Sequence, residues 1–187
     1  MSLQHPPKEY IERFQQALTL LDHKKINLLA EKLRAMQGVG RKLFLAGNGG
    51  SAATASHAAC DLGKTVHTAG PNGSIKALCL NDNIPLLTAW GNDAGYEHVF
   101  SEQLRNFATA GDLFIPITAS GNSPNIVQAI KVAKDLGVET FGLLGFVGGH
   151  AKGLLDDYLL IESQDYGVVE DAHMMVIHAI TDALKHG

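Results

Sequence analysis

The sequence predicts an α/β fold, a three-layer sandwich in which a central parallel sheet is covered by helices on both faces. Three observations lead there. After Gly38, short and continuously apolar runs (KLFLA, IKALCL, DLFIPIT, TFGLLGF, DYLLIE) alternate with longer helical stretches, and uninterrupted apolar strands belong to a sheet buried on both sides. Two strand-to-helix junctions, GNGGS and TASGNS, concentrate glycine and hydroxyl residues, as expected where a ligand sits beyond the carboxyl ends of parallel strands. The chain has 187 residues, 45% hydrophobic and 18% charged, a length and balance ample for one globular domain with a sizeable core.

Taken in order, residues 7–37 read as two helices, PKEYIERFQQALTLLD and KINLLAEKLRAMQ, broken near Asp22 to Lys24. Ile11, Phe14, Leu18 and Leu21 recur at helical spacing in the first. Residues 1–37 thus form a helical lead-in before any strand. Such an amphipathic element either packs on a sister subunit, serving oligomerisation, or covers its own domain. Residues 38–187 form the α/β domain. Its first strand, KLFLA, feeds a helix from Ser51, and IKALCL follows. TAWGNDAGYEHVF, residues 88–100, reads as a Gly-flanked loop in which Asn92 and Asp93 are ordinary turn residues that also suit sugar hydroxyls. DLFIPIT then leads to a helix from Ser123 through Leu136, TFGLLGF and DYLLIE complete the sheet, and a helix from about Val168 to Leu184 closes the chain. The apolar face of that helix is Val169, Ala172, Val176, Ala179, Ile180 and Ala183, with His178 nearly opposite.

Composition narrows the function. A formal net charge of -4 and a pI near 6.1 leave no basic footprint for nucleic acid. No run of about 18 apolar residues exists to span a membrane, and the N-terminal MSLQHPPKEY lacks the layout of a signal peptide. Cys60 and Cys79 lie in apolar segments and read as reduced core residues. These features predict a cytoplasmic protein without nucleic-acid or membrane partners.

The chemistry concentrates in residues 43–62, LFLAGNGGSAATASHAACDL. A strand, a glycine turn and a serine at a helix start make an anion cradle, because glycine admits close backbone approach and the first helical N–H groups are free. Asn48, Gly49, Gly50 and Ser51 form it, although such turns also serve as plain structural junctions. The segment is neither a dinucleotide fingerprint nor a P-loop. In the second junction Thr118, Ser120 and Ser123 offer three hydroxyls around Gly121, with Ser123 also placed to cap the helix. The ligand these turns imply is phosphorylated. His57 and Asp61, four residues apart on one helix face, can hold a metal or move a proton. His178 either joins them or pairs with Asp182 in solvent. Glu170 and His178 are eight residues apart, about 12 Å and 80° on a regular helix. One ion takes both only if the helix begins after Glu170 or the two come from different subunits.

GNGGS with His57 six residues after its serine, GNDAG, TASGNS and a C-terminal helix bearing His178 together resemble the sugar isomerase (SIS) domain family, and within it the phosphoheptose isomerase type. The resemblance covers nearly the whole chain. It implies a homotetramer that interconverts sedoheptulose 7-phosphate and D-glycero-D-manno-heptose 7-phosphate for surface polysaccharide assembly, with one zinc ion per site in some members. Carried over, it implies that Ser51, Thr118, Ser120 and Ser123 hold phosphate and that Asn48 and Asp93 meet polar groups of the substrate. His57, Asp61, Glu170 and His178 would be metal ligands, and Asp61 and His178 the catalytic base and proton partner. Three positions depart from the pattern. Asp61 stands where the family has a glutamate, Glu170 where it has a glutamine, and Gly167 where it has an aspartate. A non-catalytic scaffold resembling the SIS protein that associates with the bacterial replication initiator keeps such loops while losing site residues, and a phosphosugar-sensing regulator is a further alternative.

Overall fold

The computed structural model describes residues 7–66 and 73–186. Parts of both expected units, residues 1–6 of the lead-in and residues 67–72 and 187 of the α/β domain, therefore lie outside the described residues. Helices α1 (Pro7–Thr19) and α2 (His23–Met36) come first, followed by β1 (Lys42–Ala46) and α3 (Gly50–Cys60), which runs on into a π-helical turn, Asp61–Thr65. Then come β2 (Lys76–Cys79), α4 (Ile84–Asp93), a 3-10 turn (Tyr96–His98), α5 (Ser101–Phe107) and β3 (Leu113–Thr118). Helix α6 (Pro124–Asp135), β4 (Glu139–Gly145), α7 (Gly149–Lys152), β5 (Asp157–Ile161) and α8 (Tyr166–His186) complete the chain.

The expected parallel sheet is present, in the order β2-β1-β3-β4-β5. Alternation along each strand divides the core in two. Leu43, Leu45, Ile115, Ile117 and Leu143 pack toward α1, α2, α3 and α8, while Phe44, Phe114 and Leu144 pack toward α5 and α6. Because the chain leaves β1 in one direction to reach β2 and in the other to reach β3, the carboxyl ends of β1 and β3 part. A crevice for a ligand opens between them. Both glycine-hydroxyl turns sit there.

The lead-in covers its own domain. Asp22 caps α2 by accepting from Lys24 N at 2.9 Å, which accounts for the break between the helices. Lys25 pairs with Asp157 of β5 at 2.6 Å, and Lys32 pairs with Glu139 of β4. On α1, the Tyr10 hydroxyl donates to Asp171 of α8 at 2.5 Å and Arg13 reaches Asp165 at 3.0 Å. Burial and the Asp171 carboxylate push the Tyr10 phenol up to about 12. Ile11, expected on the apolar face of α1, stays exposed, as does Leu20.

Three further expectations are corrected. Residues 88–100 are not a loop: α4 runs through Asp93, capped by Asn83 accepting from Leu86 N at 3.1 Å. Asp93 is an exposed helix-end residue whose carboxylate accepts from Asn92 Nδ2 at 2.8 Å. Cys60 is exposed and Cys79 only partly buried. The buried face of α8 is also turned, to Val168, Val169, Ala172, His173, Val176, Ile177, Ile180, Thr181 and Leu184, leaving Ala179 and Ala183 in solvent. Small alanines give that edge little to gain from burial.

His173 is fully buried, and its Nε2 meets the Leu144 carbonyl at 3.1 Å. Burial pulls its imidazole pKa down to about 4, from an ordinary value of about 6.5. The unfolded chain therefore binds the extra proton first, and stability falls as pH drops from about 6.5 toward 4, by a total of about 3 kcal/mol. Urea unfolding at stepped pH is expected to show this slope, and His173→Gln, which keeps a donor for Leu144, to flatten it.

Candidate active site

The first turn is built by glycine. Gly49 holds φ +56° ahead of α3, a backbone closed to larger residues, and a Cβ on Gly50 would overlap the Glu170 carboxylate. Asn81 clamps the turn from below, accepting from Gly47 N at 3.2 Å and donating to Gly47 O at 2.9 Å. Ala52 N and Ala53 N already bond the Asn48 and Gly49 carbonyls, so the N–H groups of Gly50 and Ser51 are the ones at the positive end of the helix dipole that suit an anion.

In the second turn, the Thr118 hydroxyl accepts from Gly121 N at 3.1 Å and the Ser120 hydroxyl from Asn122 N at 3.2 Å. Ser123 occupies the cap position of α6 but its side chain makes no capping bond. Its hydroxyl is left for a ligand. Between the two turns lies a cavity of about 130 Å³ lined by Asn48, Ser51, Thr118, Ser120, Ser123, Tyr166 and Glu170. The structure thus brings together most of the residues expected to bind phosphate, and adds Tyr166, which the sequence reading missed. Asp93 is not among the lining residues.

One lining group opposes an anion. Burial raises the Glu170 carboxyl above its ordinary value, with the nearby Asp171 charge adding to the effect. An ionised Glu170 repels a phosphate dianion across this cavity. Glu170→Gln is expected to tighten binding of inorganic phosphate several-fold, read by titration calorimetry.

The second cluster lies toward the far end of α3. The Nε2 atoms of His57 and His178 are 2.9 Å apart, with Asp61 Oδ2 at 3.3 Å from the first and 3.9 Å from the second. Thr65, on the same π-helical turn, donates to Asp61 Oδ1 at 3.2 Å. Asp61 keeps helical backbone geometry, its own N–H bonding the His57 carbonyl, so it stays one turn beyond His57 on the same face; the wider turn follows it, with Val66 N bonding the Asp61 carbonyl. Asp61 is largely covered, whereas the two imidazoles keep about half their exposure, at 45% and 54%. Among the described residues, His57, Asp61 and His178 are the group whose ligand atoms converge enough to hold one metal ion.

Two sequence-level questions are thereby answered. His178 belongs to this cluster, and Asp182 pairs instead with Lys185 and His186. Helix α8 runs unbroken past both Glu170 and His178, so Glu170 does not join the triad of its own chain and stands over the first turn of α3 instead.

Comparison with known proteins places the chain in a family. Residues 8–145 match the family model described as SIS domain. The phosphoheptose isomerase of Trichlorobacter lovleyi is 41% identical over 159 residues, covering 85% of this chain and 80% of that protein. The chain belongs to the SIS domain family, among its phosphoheptose isomerases. Two solved phosphoheptose isomerases share the fold of this SIS domain. That of Neisseria gonorrhoeae superimposes with a TM-score of 0.84 at 32% identity, covering 95% of this chain and 93% of its own. That of Francisella tularensis gives 0.88 at 26% identity, with full coverage of both chains. No helix among the described residues of the SIS domain protein is long and apolar enough to cross a membrane.

Proposed function

We propose that the protein interconverts sedoheptulose 7-phosphate and the aldose D-glycero-D-manno-heptose 7-phosphate, binding phosphate at the two turns and reacting the far end of the sugar at the triad. The observation that carries this is the placement of both sites along one helix. Gly50 and His57 are seven residues apart on α3, about 10 Å along its axis. An extended seven-carbon chain reaches about 10 Å from its terminal phosphorus to C1. A three-carbon phosphate spans about half of that and leaves the triad unused.

The isomerisation moves one proton from C1 of the ketose to C2 of the aldose, and another from the C1 hydroxyl to the C2 oxygen, with no other reactant. Asp61 Oδ2 takes the carbon-bound proton and returns it to the neighbouring carbon, while Thr65 holds the other oxygen still. His178 Nε2 exchanges the proton on the oxygens. Ser51, Thr118, Ser120 and Ser123, with the backbone of Gly49 and Gly50, hold the phosphate.

His57, Asp61 and His178 fit a zinc ion. Two imidazoles and a carboxylate are its usual donors, and ligand atoms of a tetrahedral site lie about 3.3 Å apart, within the 2.9 to 3.9 Å spread of this triad. When bound, zinc would supply positive charge beside the developing oxyanion, and would take the place of the protons that Asp61 Oδ2 and His178 Nε2 exchange without it. Glu170 becomes a ligand only by reaching across to a neighbouring subunit. A homotetramer, with the exposed Ile11 of α1 and Leu20 just beyond it in its contacts, accords with this, and a cytoplasmic location accords with the reduced thiols. Incubating the purified protein with sedoheptulose 7-phosphate, with and without zinc, is expected to yield the aldose by NMR. Absence of product in both conditions overturns the reading in favour of a scaffold.

A further inference from the structure

Asn125, which has no place in the chemistry above, lies just behind the cavity at the start of α6 and is 2% exposed. Its hydrogen bonds are unusually complete. Asn48 Nδ2 donates to Asn125 Oδ1 at 2.9 Å, and Asn125 Nδ2 donates back to Asn48 Oδ1 at 2.9 Å. Taken alone, this reciprocal pair survives if both amides turn over, so it does not choose an orientation. The choice comes from the backbone. Ile126 N donates to Asn125 Oδ1 at 2.9 Å, and an amide nitrogen cannot accept that bond. Asn125 is therefore fixed, and through it Asn48.

The accounting for Asn48 then closes. Its Oδ1 accepts from Asn125 Nδ2 and from the Tyr96 hydroxyl at 3.2 Å, which fills both lone pairs. One of its two N–H bonds is spent on Asn125, and one N–H is left for the cavity that Asn48 lines. A phosphate dianion is an acceptor on every oxygen, so a side chain presented only as a donor matches it, whereas an amide free to turn would half the time offer a repelling carbonyl.

We propose that Asn125 is a positioning residue that fixes Asn48 as a hydrogen-bond donor to the phosphate end of the ligand. The inference rests on the phosphosugar reading above and joins the two turns into one device: the residue that orients the first turn is carried by the helix of the second.

The experiment measures inorganic phosphate binding by titration calorimetry alongside KM and kcat for sedoheptulose 7-phosphate, in Asn125→Leu, in Asn125→Ser, in Asn48→Ala and in each double variant. Asn125→Leu is expected to weaken phosphate and raise KM about tenfold while kcat stays within about twofold. In the Asn48→Ala background the same change is expected to do nothing further, because its effect passes through Asn48. The smaller Asn125→Ser, which leaves room for water, supplies the same comparison should the leucine variant not fold. Independent, multiplying effects of the two positions overturn the proposal, as does a fall in kcat with phosphate binding unchanged. The calorimetric arm does not depend on turnover, so it separates failure of this inference from failure of the isomerase assignment.

Discussion

Asp61→Asn and His178→Ala are each expected to lower turnover of sedoheptulose 7-phosphate by about a thousandfold, the usual weight of a positioned proton-transfer group. The phosphate site stands apart from both residues, so KM should move little. Because Asp61 and His178 act on one proton inventory, the double variant is expected to be scarcely worse than either single one. Each change also removes a donor from a three-residue site whose atoms lie 2.9 to 3.9 Å apart, and zinc binding should fall in parallel in a competition assay. Loss of activity with zinc affinity intact in both variants would separate the two roles assigned here to one cluster.

The second large effect is expected at a residue that touches no substrate atom. Gly121 has φ +67°, and a Cβ there would overlap the backbone carbonyl of Gly148. Neither obstacle is a flexible side chain that can swing aside. Gly121→Ala is expected to cost at least about 3 kcal/mol of stability, from the left-handed backbone and the collision together. Thermal unfolding checks this. Whatever folded protein remains should bind inorganic phosphate poorly, because Thr118 uses its hydroxyl to hold Gly121 N and the turn to its hydroxyl neighbours is set by that bond.

Much of this was readable from the chain. The five apolar runs map onto β1 to β5; β1, β3 and β4 are buried on both faces and have no polar alternation to obscure them, whereas β2 lies at the sheet edge with Leu78 exposed and is legible only by its apolar run. The two turns announced themselves because glycine and hydroxyl residues have few other reasons to crowd a strand end. Helix α4 was misread because Thr88, Gly91, Asn92 and Asp93 are poor helix formers. The signal that identifies it lies before them, in Asn83 as cap with Pro85 in the first turn. The outer edge of α8 was misread for the opposite reason, since Ala179 and Ala183 are apolar by class but too small to compel burial. No local signal reveals the π-helical turn at Asp61 or the Asn48–Asn125 amide pair, because both depend on which residues the finished fold sets side by side. The unbroken helix through Glu170 was likewise undecidable from spacing alone.

The central claim is a separation: phosphate at the start of α3, reacting carbons at the triad two turns on. Cobalt(II) in place of zinc at His57, Asp61 and His178 allows it to be measured, from paramagnetic relaxation of the phosphorus of bound sedoheptulose 7-phosphate. The expected metal-to-phosphorus distance is about 10 Å. A distance under about 5 Å, with the phosphate on the metal, or relaxation unaffected by His57→Ala, would contradict the account.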